Sequence, residues 1–289
     1  MTISGSGQRA AQTWRIQPAG PTVSGQLIEL WRHRHLFQLF TRRALFDLYR
    51  NAIFGIVWIA IRPLMVVLPA IFVVGRVFGI STEPVPLPLF IIVGIACWIF
   101  IRRNIQWFTK SMNKNRAVLS RIYVSPLLLM VAVVSLGLVE FMAVMVLVAA
   151  AAVYYGPIAG LYYLAFGWHN LAIVPALIFG FLLSLAIGCF TSILNALAQD
   201  TWLTLRYVLT FWMLATPVIY PVHVIPEQYH WIVYLNPLAS VVEVFRWGVL
   251  HYGTVHWGFV ALAAGQILVL LLLGIWFFGK QQNRLFDHM

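Results

Sequence analysis

The chain has 289 residues, of which 62% are hydrophobic and 9% charged, and its mean hydropathy is +0.87. Soluble domains carry about 25% charged residues, so this composition excludes a water-soluble globular protein and points to a polytopic membrane protein of one domain. The net charge of +11 would suit nucleic acid in a soluble chain. In a membrane chain the placement of Lys and Arg matters more than their sum, and no nucleic-acid partner is expected.

Residues 1–23 are rich in Gly, Ser, Gln and Pro, a composition that cannot bury enough apolar surface to order itself, and they read as a flexible cytoplasmic tail. The first fifty residues hold no short apolar core followed by a small-residue cleavage site, so no cleaved signal peptide is expected. From 24 to 50, Leu27, Leu30, Trp31, Phe37, Phe40, Leu45 and Leu48 recur at helical spacing, with Arg32, Arg34, Arg42 and Arg43 between them. That pattern predicts an amphipathic helix on the inner membrane surface.

A spanning helix needs about 20 apolar residues, and the remainder, 51–289, supplies six candidates: 52–78, 87–108, 126–155, 170–197, 203–222 and 257–279. With the N-terminus inside, 16 of the 19 Lys and Arg fall on the inner side, as the positive-inside rule requires. The expected architecture is therefore an all-α integral membrane protein of six transmembrane helices with both termini cytoplasmic.

Two connections stand out. The inner segment 110–125, KSMNKNRAVLSRIYVS, combines Lys114, Arg116 and Arg121 with Leu119 and Tyr123, and suits docking of a short helix into another protein. The outer segment 222–253 is aromatic and apolar, yet carries charge and is broken at Asn236-Pro237. Non-helical backbone at membrane depth persists only where it is buried in protein or lines a cavity. Trp231, Tyr234 and Trp247 there are interface aromatics, with an ordinary aromatic belt as the plainer reading. Glu243 and Arg246, three apart, are expected to pair with each other rather than with a ligand.

Charge inside the spans is costly, about 2.5–3.5 kcal/mol per group at the centre, so each such group needs a partner or a watery path. Arg62 reads equally as a cation lining a channel and as the partner of Glu140. Arg102 and Arg103 read as snorkelling to inner headgroups, with a place in a substrate path as the other reading. Trp58, Tyr207, Phe211, Trp212 and Tyr220 form aromatic stripes that serve either packing or a conduit. Cys97 and Cys189 fall in apolar runs, where thiols pack as small hydrophobes. His223, His230, His251 and His256 have no supporting Cys or carboxylate at ligand spacing, so no metal site is expected. The string GIWFFGK, Gly274 to Lys280, superficially fits a phosphate-binding loop, but Gln281 replaces the required hydroxyl residue and the setting is apolar. No catalytic constellation is present, which disfavours a membrane glycosyl- or acyltransferase.

The stretches LYRNAIFGIVWIAIRPL (Leu48 to Leu64), RIYVSP (Arg121 to Pro126), TPVIYPVHVIPEQY (Thr216 to Tyr229) and NPLASVVEVFRWGVL (Asn236 to Leu250), in this order, resemble the membrane subunits of ABC transporters of the type-2 permease family. Within it, they look most like exporters of lipid-linked O-antigen, capsule or teichoic-acid polymers, with small-molecule exporters as a further branch. The resemblance implies a permease without its own ATP site or cofactor, residing in the bacterial cytoplasmic membrane as a homodimer. Two separate ATPase subunits would bind ATP and Mg and dock on the segment around Lys114, Arg116, Leu119, Arg121 and Tyr123. The substrate would be a glycan on an undecaprenyl-pyrophosphate type lipid. Residues 222–253 would form two short re-entrant helices at the exit. Arg102 and Arg103 stand where many relatives carry small polar residues.

Overall fold

The computed structural model describes residues 57–114, 134–159, 167–198 and 200–287, and every regular element among them is helical. The amphipathic segment 24–50 and residues Arg116, Leu119, Arg121 and Tyr123 lie outside the described residues.

Helix α1 (Trp58–Ile71) contains Pro63 and Pro69 and runs into a π-helical turn, Phe72–Val77. Each proline removes an N–H from the i→i−4 ladder, so this stretch is a broken rod. α2 (Leu87–Lys114) opens with Pro88 in its first turn, where the missing N–H has no partner to lose. It packs against α1, α3 (Val134–Ala159), α4 (Ile173–Leu197) and α7 (Pro237–Leu250). Apolar residues surround its axis from Leu89 to Ile101, and it is the most buried of the long helices, as a stretch without a polar face must be.

Burying apolar surface gains little in lipid, so helices there associate through close approach and polar contacts. The α2/α4 seam is built that way. Gly180, Ser184, Gly188 and Ser192 recur every four residues on α4, and all are buried. A Cβ at Gly188 would collide with Phe108, and one at Gly180 would press on Ile101. The Ser184 hydroxyl reaches the Ile101 carbonyl at 3.2 Å, and the Thr109 and Thr191 hydroxyls meet at 2.7 Å. Asn113 donates to the Asn195 carbonyl at 3.0 Å, and Asn195 donates back to the Thr109 carbonyl at 3.3 Å.

After α5 (Asp200–Ala215) the chain passes through 3-10 turns at Val222–Val224 and Glu227–Tyr229 into the short α6 (His230–Tyr234), then α7 (Pro237–Leu250) and α8 (Trp257–Asp287). Among the described residues, four helices are long and apolar enough to cross a membrane, over Leu87–Asn113, Gly137–Pro157, Trp168–Leu197 and Trp257–Gln281. The predicted fifth span, 203–222, needs correction at its end. The helix stops at Ala215 after 16 residues, because Pro217 has no N–H to continue it and disfavours helical backbone at the residue before. At 1.5 Å per residue it reaches about 24 Å, so a fifth crossing of a hydrocarbon core about 30 Å thick needs the non-helical chain beyond Ala215 as well. α2 and α8 instead run beyond their predicted ends, to Lys114 and Asp287. Cys97 and Cys189 are both buried and unbridged. The GIWFFGK string lies inside continuous α8, where Gly274 lets the helix approach the Ala186 carbonyl of α4.

Candidate functional site

Among the described residues, two of the polar cavities lie at opposite ends of α2. Toward the α2 C-terminus, a cavity of about 480 Å3 is bounded by Arg62 on α1, by Arg102, Arg103, Gln106 and Lys110 on α2, by Glu140 on α3, and by Trp202 and Arg206 on α5. Arg102, Gln106 and Lys110 follow at intervals of four and therefore share a face of α2. Five cationic side chains meet one carboxylate here. Arg103 forms an ion pair with Glu140 through Nε, and its guanidinium donates to Gln106 Oε1 at 3.5 Å. Lys110 Nζ sits 3.5 Å from the centre of the Trp202 ring. The buried Nε of Arg102 finds no hydrogen-bond acceptor among the described residues.

This arrangement shows which arginine contacts Glu140 and where the others lie. The partner of Glu140 is Arg103, and Arg62 is exposed to the cavity instead. Arg102 and Arg103 are half-buried in the cavity wall; their guanidinium groups converge on polar space inside the bundle. Sequence reasoning missed Lys110, Trp202 and Arg206 as members of the site. The signal was the four-residue period on α2, but which way that face turns depends on packing. Chemically, a surplus of guanidinium groups in a partly dry cavity suits a multiply charged oxyanion, because Arg presents paired N–H donors matched to phosphate oxygens.

At the other end, α7 is capped by Asn236, whose Oδ1 accepts from the Leu238 N–H at 3.1 Å, with Pro237 at the first helical position. The same Oδ1 accepts from Trp212 Nε1 at 3.1 Å, and Asn236 Nδ2 donates to the Thr216 hydroxyl at 2.7 Å. Asn236 thus ties α5 to α7. Trp212 also packs edge-on against Trp98 at 6.1 Å, so of the α5 aromatics it is a packing residue. Tyr220 is half-buried and donates to the Leu214 carbonyl at 3.0 Å. Tyr207 and Phe211 are 70% and 69% exposed on the outside of the bundle. Trp58 is half-buried at the start of α1, and Lys114 ends α2.

The expected Glu243–Arg246 pair does not form. Arg246 is buried, donates to the Pro217 and Val218 carbonyls at 3.2 and 2.8 Å, and stacks over Phe90 at 3.8 Å. The Pro217 kink leaves those carbonyls without helical partners, and carbonyls of this kind draw the guanidinium away from the carboxylate. Burial pulls Arg246 down to about 10, with Glu243 opposing, so the group stays charged at neutral pH. Glu243 accepts instead from the Tyr234 hydroxyl at 3.0 Å, and that hydroxyl lies 3.3 Å from His256 Nδ1. Burial raises the Glu243 carboxyl above the ordinary carboxylate range, against the Tyr234 hydrogen bond.

The predicted exit residues are not one cluster. Tyr234, Glu243 and Arg246 share a cavity of about 350 Å3. Trp247 lines a separate apolar cavity of about 380 Å3 with Trp168 and Trp257, at ring distances of 5.1 and 6.0 Å. Trp231 is 57% exposed and lines neither.

An apolar helical bundle enclosing a basic cavity is the form of a membrane transporter subunit, and the chain belongs to the ABC-2 type transporter family, whose sequence model matches residues 35–250. Membership makes it a multi-pass membrane protein of a transporter powered by ATPase subunits. Among curated relatives, it is 24% identical over 263 residues to the O-antigen export system permease protein RfbA of Klebsiella pneumoniae, covering 86% of this chain and 93% of that one. It is 23% identical over 223 residues to the protein of the same name from Myxococcus xanthus, covering 75% of this chain and 81% of that one.

Proposed function

We propose that this chain is the membrane-spanning subunit of an ABC exporter that moves a lipid-linked glycan of O-antigen type from the cytoplasm to the outer face of the bacterial cytoplasmic membrane. Six spans with both termini inside put the α2 C-terminal cavity at the inner leaflet and the α7 end outside, where α6 and α7 dip into the membrane as re-entrant helices. The observation that carries the reading is the inner cavity: five cations against one carboxylate suit the pyrophosphate that joins a polyprenyl lipid to its glycan. The names of the relatives support the same class of substrate.

Two copies then surround the path, with the exposed faces of α1 and α5 turned toward each other. Two separate ATPase subunits bind ATP and Mg and close on each cycle. Their motion reaches α1 and α5 through the amphipathic N-terminal segment and the stretch around Lys114, Arg116, Leu119, Arg121 and Tyr123. The test is copurification with a separately encoded ATPase whose activity rises on assembly, together with loss of that association on charge reversal at Arg116 and Arg121. ATP hydrolysis or sugar transfer by the purified chain alone would overturn the reading.

A further inference from the structure

The chamber at the α7 end has no part in the anion chemistry of the inner cavity. It measures about 350 Å3, and Phe90, His230, Glu243, Tyr252, Thr254 and His256 line it. Glu243 is one of only 8 acidic residues in the chain and stands on a helix that is buried along most of its length. Glu243 itself is half-buried, and a carboxyl group partly withdrawn from water is costly unless its oxygens are partnered. Arg246, one turn on, is committed to two backbone carbonyls and to the Phe90 ring. Tyr234 satisfies Glu243 Oε1, and Oε2 accepts no hydrogen bond from any described residue. The chamber therefore presents an open acceptor.

The surroundings narrow the ligand. The hydroxyls of Tyr252 and Thr254 both donate and accept hydrogen bonds; His230 Nε2 is held by the Ile225 carbonyl at 2.8 Å and His256 Nδ1 by the Tyr234 hydroxyl, which leaves one nitrogen of each ring for a ligand. Phe90 and Tyr252 meet edge to face at 5.3 Å and put aromatic surface beside these polar groups. The carboxylate would repel a phosphate. Its charge is offset by Arg246, which leaves a chamber of mixed polarity with no dominant sign. A carboxylate that spans neighbouring hydroxyls, amphoteric side chains around it and a ring for C–H faces are together suited to a sugar, and the volume lies in the range of about 300–1,000 Å3 common for small-ligand pockets.

We propose that this chamber is a binding subsite for a single neutral pyranose unit, with Glu243 accepting from its hydroxyls and Tyr252 supplying the ring surface. The proposal rests on the export reading only for the source of sugar at this face. Saturation-transfer difference NMR on the permease purified with its ATPase in nanodiscs tests it, with glucose, galactose, mannose and rhamnose added as free monosaccharides at millimolar concentration. At least one sugar is expected to show transfer. Glu243→Gln and Tyr252→Ala each reduce it several-fold, and Leu272→Ala on the exposed face of α8 leaves it unchanged.

Thermal unfolding is read alongside. Glu243→Gln keeps the side-chain shape and an acceptor for Tyr234, so loss of transfer at an unfolding temperature that is not lowered supports the subsite. No transfer from any sugar, transfer that survives both substitutions, or loss that only accompanies unfolding of both variants overturns it. A missing sugar signal with polymer export intact sinks the subsite alone. Absence of any ATPase partner sinks the export reading instead.

Discussion

Arg103 and Glu140 form a pair whose halves have unequal surroundings, with side-chain exposures of 27% and 8%. Removing the arginine takes the contacting counter-charge from a buried carboxylate and leaves only the more distant field of cations such as Arg62, whereas removing the acid leaves a more exposed arginine that water can reach. Arg103→Ala is therefore expected to cost about 3 kcal/mol, and Glu140→Gln clearly less; thermal unfolding in detergent measures both. Gly94 poses a different constraint: a Cβ there would overlap the Val218 carbonyl and the Arg246 guanidinium. Gly94→Ala must break that contact and lowers stability by about 1–3 kcal/mol. Gly265→Ala on α8, where an added Cβ meets nothing within 4 Å, is the control that leaves the unfolding temperature unchanged or higher. Glu243 supplies a pH signature. Its folded carboxyl holds a proton more tightly than the unfolded one, because burial penalises the charge. The stability this contributes is complete below the unfolded carboxylate range, about 4.3, and is lost as pH rises through the elevated folded value. Wild type and Glu243→Gln should unfold at similar temperatures in acid and diverge toward neutral pH, with wild type becoming the less stable.

At the scale of elements, α5 and α7 are joined through one side chain. Asn236 caps α7 and holds Trp212 and Thr216 of the α5 terminus. Loss of a helix cap alone costs about 1 kcal/mol. Asn236→Ala also strands the Trp212 N–H, so it is expected to exceed that figure and to raise hydrogen exchange at the first turn of α7 and the last turn of α5 together. Exchange confined to α7 would mean the two helices are held by other contacts. The early end of α5 was legible in Thr216-Pro217. The partner of Asn236 was not, because Trp212 lies 24 residues away and only folding brings it within reach.

For the whole molecule, the inner cavity makes one demand: its excess positive charge must remain. Reversing two cations on different helices, Arg102→Glu with Arg206→Glu, is expected to abolish surface polymer while the protein still reaches the membrane, as surface-glycan staining and membrane fractionation would show. Export at the wild-type level would remove the cavity from the substrate path. The amino-acid sequence by itself determined the membrane class, the runs that become long helices, the intramembrane charges and the family, because hydropathy, Lys and Arg placement and motif order are properties of the chain in one dimension. The tertiary structure alone decided that Arg103 rather than Arg62 meets Glu140, that Arg246 turns to backbone carbonyls instead of Glu243, and that Lys110 and Arg206 join one cavity. Those choices depend on how each helix rotates against its neighbours, which packing at small residues sets and no local pattern encodes.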